Sequence, residues 1–212
     1  MGKRKYLTGA EVSALLRIIA EKKTSRRDWC MVYMAFIHGL RVSELTGLTL
    51  ADYDRLSQRI HIRRLKGGFS TTHPMLPEEQ RSLEIWLIER AQSPGHHLPW
   101  LFLSGKGGRL SRQRIYTLIK EYGLAAGLSV ETHPHMLRHA CGYGLAELGN
   151  DTRLIQDYLG HKNIRHTVLY TASNAERFSG AWGKAALPLL NQLTERDKIN
   201  IGKSIPSSLT PL

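Results

Sequence analysis

The chain is poor in cysteine. Cys30 and Cys141 are the only two in 212 residues, and both stand among apolar neighbours at no metal-ligand spacing. That excludes a disulfide-stapled scaffold and points to a reducing cytosol. Acid is scarce as well: 18 Asp and Glu stand against 30 Lys and Arg, for a formal charge of +12. An excess of that size favours a polyanionic partner, nucleic acid before an anionic membrane. No apolar run approaches the ~20 residues that cross a bilayer. The basic start MGKRKYLTG leads into no apolar stretch and is not read as a signal peptide. Repeats and linkers are missing too. One domain is left, and its hydrophobic share of 42% is enough to build a core.

What is present is mostly helical periodicity. Thr8-Gly-Ala-Glu11 reads as a capping box, and Val12, Leu15, Leu16 and Ile19 follow on one helical face. Residues 26–38 form a second helix, apolar nearly all round and hence central, with Gly39 as its stop. RVSEL opens a short third. RIHIRR at 59–64 alternates like a strand, Lys66-Gly67-Gly68 turns, and FSTTHPML returns, so a β-hairpin is expected with Lys66 at its tip. Pro77–Arg90 reads as a helix with Leu83, Trp86 and Leu87 as its stripe, and WLFLS as a short strand. Helices are expected over 111–122, 135–148 and 151–159, with another short one across RHTVLYTAS. The fold class is mostly α with a small β-hairpin or sheet. GKSIPSSLTPL reads as a disordered tail.

The stretch HPHMLRHACGYG, residues 133–144, crowds three histidines and an arginine together. At 100° per residue His135, Arg138 and His139 share one face, with Leu137, Cys141, Gly144 and Leu148 as the packing stripe behind. Pro134 sets His135 in the first turn, where free amides and the helix dipole favour an anion. His135 and His139 have the i, i+4 spacing of a zinc helix. No Glu adjoins the first His, however, and Arg138 between them repels a cation, so no metal is expected. The lysine–glycine turns at 66–68 and 106–108 lack the frame of a nucleotide cradle, and no cofactor is indicated.

Three further segments add to this one. HGLRVSEL puts Arg41 at a helix start with Glu44 three residues on, RLKGGFS puts Lys66 at a turn, and YLGHKNIRHTVLYT puts His161 nine residues before Tyr170. Each has a plainer reading: a local helix pair for Arg41 and Glu44, an ordinary turn lysine, a core aromatic. Taken together and in this order, Arg41, Lys66, His135, Arg138, His161 and Tyr170 resemble the catalytic set of the tyrosine recombinase (phage integrase) family. HPHMLRHACGYGLAELG and TRLIQDYLGHKNIRHTVLYTASN are similar to the fimbrial phase-variation invertases of enteric bacteria.

The resemblance implies the catalytic-domain fold of that family over residues 2–186, with 187–212 as a partly disordered extension. It implies no separate core-binding domain ahead of Arg41, as in the short fimbrial invertases. The implied reaction cuts and rejoins double-stranded DNA at inverted repeats through a 3′-phosphotyrosine on Tyr170, inverting a promoter segment without metal or ATP. In that reading Arg41 and Arg138 grip the phosphate. His161 adds a hydrogen bond, His135 takes the phenol proton, and Lys66 protonates the leaving 5′ oxygen. Glu44 and His139 are supporting residues. Four protomers assembled on DNA, with accessory DNA-bending proteins, complete the expectation, in the cytoplasm. Candidate DNA contacts are Lys3, Arg4, Lys5, Arg63, Arg64, Arg109, Arg112 and Arg114. An integrase of a mobile element, a type IB topoisomerase-like relaxase and a silent DNA-binding regulator share the pattern and stay open.

Overall fold

A computed structural model describes residues 4–22, 26–64 and 69–172. The chain opens with α1 (Gly9–Ala20), α2 (Arg26–Ile37) and α3 (Val42–Gly47). A 3₁₀ turn over Leu50–Asp52 leads into β1 (Tyr53–Asp54), β2 (Arg59–Ile62) and β3 (Thr71–Pro74). Five helices follow: α4 (Pro77–Ala91), α5 (Arg112–Ala125), α6 (Pro134–Glu147), α7 (Thr152–Leu159) and α8 (Arg165–Ala172). The capping box at α1 forms as expected. Glu11 N donates to Thr8 Oγ1 and Thr8 N to Glu11 Oε2, a pair worth about 1 kcal/mol to the helix.

The apolar helix α2 is central, packed against α1, α4 and α6. Its Cys30, Met31, Val32, Met34 and Ala35 are buried, and α1 lays Val12, Leu15 and Ile19 onto them. Gly39 ends α2 in the left-handed region, at φ 55°. The antiparallel order is β1–β2–β3, with Ile60 opposite His73 and Ile62 opposite Thr71. The expected hairpin is thus present in its two arms, and its Lys66 tip lies outside the described residues. The two-residue β1 was not anticipated. A buried polar link ties β3 to the helices: His38 Nδ1 lies 3.1 Å from His73 Nδ1, and His38 Nε2 lies 2.5 Å from Glu79 Oε1.

Two expectations need correction. WLFLS forms no strand beyond isolated bridges from Thr49 to Trp100 and from Leu103 to Arg109. The Arg90 guanidinium holds that segment instead, donating to the carbonyls of His96, Leu98 and Trp100. The stripe assigned to α6 is also incomplete, because Leu148 is 80% exposed just past the helix end. α6 is buried on more than one side. Met136, Leu137 and Ala140 join the main core, while Cys141 and Ala146 join a second cluster with Ile155, Leu159 and Tyr170 of α7 and α8. A helix packed between two clusters has no single apolar face to read.

Candidate active site

Arg41 is the residue before α3, and Glu44 sits one turn inside it. The Glu44 carboxylate accepts from Arg41 N at 2.9 Å and from Arg41 Nη1 at 2.7 Å. On its other side it accepts from Arg64 Nη1 at 3.0 Å, and Arg138 Nη1 stands 3.9 Å away. Burial alone would raise the Glu44 pKa. The Arg41 amide and the charges of Arg64 and Arg138 outweigh it, and the carboxyl is held below its ordinary range. Glu44 thus holds the Arg41 amide and guanidinium and joins two further guanidiniums that the sequence did not link to it.

Arg138 does not point to solvent; its residue is 1% exposed. Its Nη1 donates to Gly39 O at 2.5 Å and its Nη2 to Leu159 O at 2.7 Å. Among the described residues two of its five N–H groups are engaged with backbone, and the residue lines a cavity. Burial, with Arg41 and Arg64 beside it, brings its pKa down to about 10, so it stays cationic at neutral pH. Glycine is favoured at Gly39 by its left-handed φ, and a Cβ there would also crowd Leu159 Cδ2.

Tyr170 lies on α8 with 2% exposure, its ring edge-on to Tyr143 and roughly parallel to His161 at a 6.3 Å centroid distance. Its hydroxyl is 3.1 Å from His139 Nδ1. Among the described residues His139, and not His135, hydrogen bonds Tyr170. The His135 ring stands edge-on to His139 at 4.6 Å. Burial pushes the phenol up to about 12 despite the nearby Arg138. His161 Nδ1 lies 2.9 Å from the Thr167 hydroxyl. With that hydroxyl donating, the His161 proton sits on Nε2, free to donate elsewhere. Burial, then Arg138 and Arg41, brings the His161 pKa down to about 3, so it acts as a neutral donor. The same causes, with His139, bring His135 down to about 4.

Arg41, His135, Arg138, His139, His161 and Tyr170 all line one cavity of about 340 Å³, floored by Gly160 at the end of α7. Its walls are cationic or neutral, with Glu44 behind them. A tetrahedral anion with forked acceptors fits such a site. Size alone would point elsewhere: a cavity of about 700 Å³ lies between α2, α4 and α5, lined by Arg27, Asp28 and Tyr122 among others. None of the expected catalytic residues is in it.

Sequence reasoning missed three supports. Gly142 faces the Tyr170 ring so closely that a Cβ would stand 2.6 Å from Cε2. The Thr167 hydroxyl partners His161 Nδ1 at 2.9 Å. Arg64 is a correction: expected as a DNA contact, it is 5% exposed and donates to Glu44, His38 O, Gly39 O and Tyr158 O. The alternation of β2, with Ile60 and Ile62 inward, continues to residue 64 and would have placed it inside. Of the other candidates, Lys3 lies outside the described residues. Lys5 and Arg112 are exposed. Arg4 pairs with Glu11, and Arg63 pairs with Asp52 at 2.7 Å. Arg109 donates to Thr46 O and lies over the Trp100 ring. Arg63 and Arg109 share a groove beside α3 with Glu44, whereas Arg114 lines the larger cavity.

A family model described as the phage integrase family matches residues 5–177. The chain belongs to that family. It is 52% identical over 200 residues to the type 1 fimbriae regulatory protein FimE of Escherichia coli (strain K12), covering 94% of this chain and 100% of that protein. Among solved structures, the XerA recombinase superposes with a TM-score of 0.74 at 26% identity, over 87% of this chain and 66% of that one. The XerH site-specific recombinase, in a post-cleavage complex with palindromic difH substrate, gives 0.71 at 25% identity, over 85% and 53%. The expected recombinase catalytic fold is thus the observed one, though this chain spans only about half to two thirds of those two recombinases. No described helix is long and apolar enough to cross a membrane.

Proposed function

We propose that this chain is a site-specific tyrosine recombinase that inverts a DNA segment bounded by short inverted repeats, in the control of fimbrial phase variation. The observation that carries the reading is the cavity in which a tyrosine hydroxyl, two guanidiniums and a neutral imidazole meet. Identity of 52% along the full length of a fimbrial regulatory protein supports the branch.

A phosphodiester resists attack because the nucleophile must approach an anion and the transition state gathers charge on the non-bridging oxygens. Arg41 and the unengaged N–H groups of Arg138 take that charge in a fixed array, and His161 Nε2–H adds a neutral donor. The Tyr170 oxygen forms a bond to phosphorus as the 5′ oxygen leaves, protonated by Lys66, which lies between β2 and β3 in sequence. The phosphotyrosine conserves the energy of the broken linkage, so a partner strand's 5′ hydroxyl can reseal it without ATP. Four protomers act on two sites in the cytoplasm, helped by DNA-bending proteins. Exposed cations beside the site, Arg63, Arg109 and Arg112 among them, hold phosphates and make affinity fall with salt.

The test is covalent capture. With a nicked duplex carrying the repeats that flank the chain's own genomic neighbourhood, a denaturing gel should show protein joined to DNA, and Tyr170→Phe should abolish the product. An adduct that survives in Tyr170→Phe refutes the nucleophile. Efficient relaxation of supercoiled plasmid lacking repeats would favour the topoisomerase reading instead.

A further inference from the structure

The Tyr170 proton has to go somewhere as the phenol oxygen attacks. Geometry supplies one acceptor: His139 Nδ1, 3.1 Å from the hydroxyl. His139 lies on α6 one turn after His135, whose ring touches it edge-on and makes no hydrogen bond to Tyr170 among the described residues. The Tyr170 ring lies close against Gly142 and edge-on to Tyr143, with the His161 ring at a 6.3 Å centroid distance. We propose that His139 is a catalytic residue that accepts the Tyr170 proton through Nδ1 while the phenol oxygen attacks the scissile phosphorus. This rests on Tyr170 as the nucleophile.

The step balances. The O–P bond to Tyr170 forms, the phosphorus–5′ oxygen bond breaks, the phenol proton passes to His139 Nδ1, and Lys66 supplies the proton to the 5′ oxygen. Religation runs the same transfers backward. The groups facing His139 are His133, His135 and Arg138 from α6 and its cap, Lys5 from the N-terminal segment, and Tyr170 from α8. After burial, the cation of Arg138 contributes most to lowering the His139 pKa, so the imidazole is neutral and can accept. With the phenol near 12, the proton does not cross before attack. It crosses as the new bond withdraws electron density from the phenol oxygen, which is general-base catalysis in the transition state.

The experiment is single-turnover cleavage of two nicked duplexes, one with a normal linkage and one with a sulfur bridging phosphorus to the 5′ carbon. Sulfur leaves without a proton, so the second substrate removes the need for an acid but not for a base. In His139→Asn the side-chain oxygen sits where Nδ1 sat, accepting a hydrogen bond without titrating. Cleavage should fall about 10²-fold or more on both substrates. The acid limb of the wild-type pH profile should vanish, and DNA affinity should hold. Lys66→Ala should recover on the sulfur substrate, which marks the other proton. Wild-type rates in His139→Asn, a retained acid limb, or rescue by sulfur would overturn the proposal. If the Asn variant does not fold, folded His139→Gln is read by the same criteria. Persistence of the adduct in Tyr170→Phe would instead sink the nucleophile reading, whatever His139 does.

Discussion

Gly142 offers the sharpest link between packing and chemistry. A methyl built there would lie 2.6, 2.7 and 2.8 Å from Cε2, Cδ2 and Cζ of Tyr170. Carbon atoms rest at about 3.5–4.0 Å, so Gly142→Ala forces a displacement of about 1 Å between helix and ring. α6 is buried between two apolar clusters and yields less readily than α8. The ring therefore moves, and the 3.1 Å contact of its hydroxyl with His139 is lost. A misplacement of about 1 Å at a reacting atom costs on the order of 10²-fold in rate. Stability responds differently. Ala gains about 0.5–1 kcal/mol over Gly inside a helix, and overpacking costs about 1–3 kcal/mol, so the fold loses between about 0 and 2.5 kcal/mol while the barrier to cleavage rises by about 2.7 kcal/mol. Gly144 provides the control, since it lies on the same helix and a methyl there meets nothing within 4 Å. Gly144→Ala should raise Tm by roughly 1–4 °C, from a gain of about 0.5–1 kcal/mol in a chain of this size, and leave cleavage unchanged. The assay is adduct formation on a nicked duplex beside a thermal melt. If Gly142→Ala cleaves at the wild-type rate and melts higher, as Gly144→Ala does, the claimed contact does not position the nucleophile.

Two other predictions concern stability. Arg64→Met keeps the length of the side chain but strips Glu44 of a buried partner and takes the Arg64 donor from the carbonyls of His38 and Tyr158, while Gly39 O keeps Arg138; urea unfolding should show a loss of about 3–5 kcal/mol, and a loss below 1 kcal/mol would refute the strut. His73 and His161 have folded pKa values pushed down to about 3 and His135 to about 4, each chiefly by burial. Below about 6.5 the unfolded chain binds protons that the folded one refuses, so stability is full above that pH and falls as pH drops toward 4. His73→Gln should flatten that slope, whereas a urea midpoint that rises on acidification would contradict it.

The fold was legible where one face of an element packs. Val12, Leu15 and Ile19 announce α1, and Ile60 and Ile62 announce β2, because a single buried side imposes a clean period. The site was legible in its residue types and their order, which brought Arg41, His135, Arg138, His161 and Tyr170 to one cavity. The partners were hidden. Nothing in HPHMLRHACGYG says whether His135 or His139 meets the tyrosine, since both occupy the same helical face one turn apart. That choice is made by α8, from a segment some thirty residues away. Arg64 was misassigned for the opposite reason. The strand alternation did place it inside, but an arginine in a basic run invites a surface reading, and it is a buried carboxylate with three accepting carbonyls that makes the interior tolerable.

Those carbonyls explain how so much positive charge is held without DNA. Arg41, Arg64 and Arg138 gather around the carboxylate of Glu44, and like charges in a buried site repel strongly. Gly39 O offsets part of that repulsion by accepting from both Arg64 and Arg138 at the left-handed end of α2. Backbone dipoles stabilise a cation without neutralising it, so the cluster stays short of anion. An arriving phosphate supplies what Glu44 cannot. The same surplus that destabilises the free protein thus favours the bound state, and it favours most the transition state, where the phosphoryl oxygens carry the greatest charge.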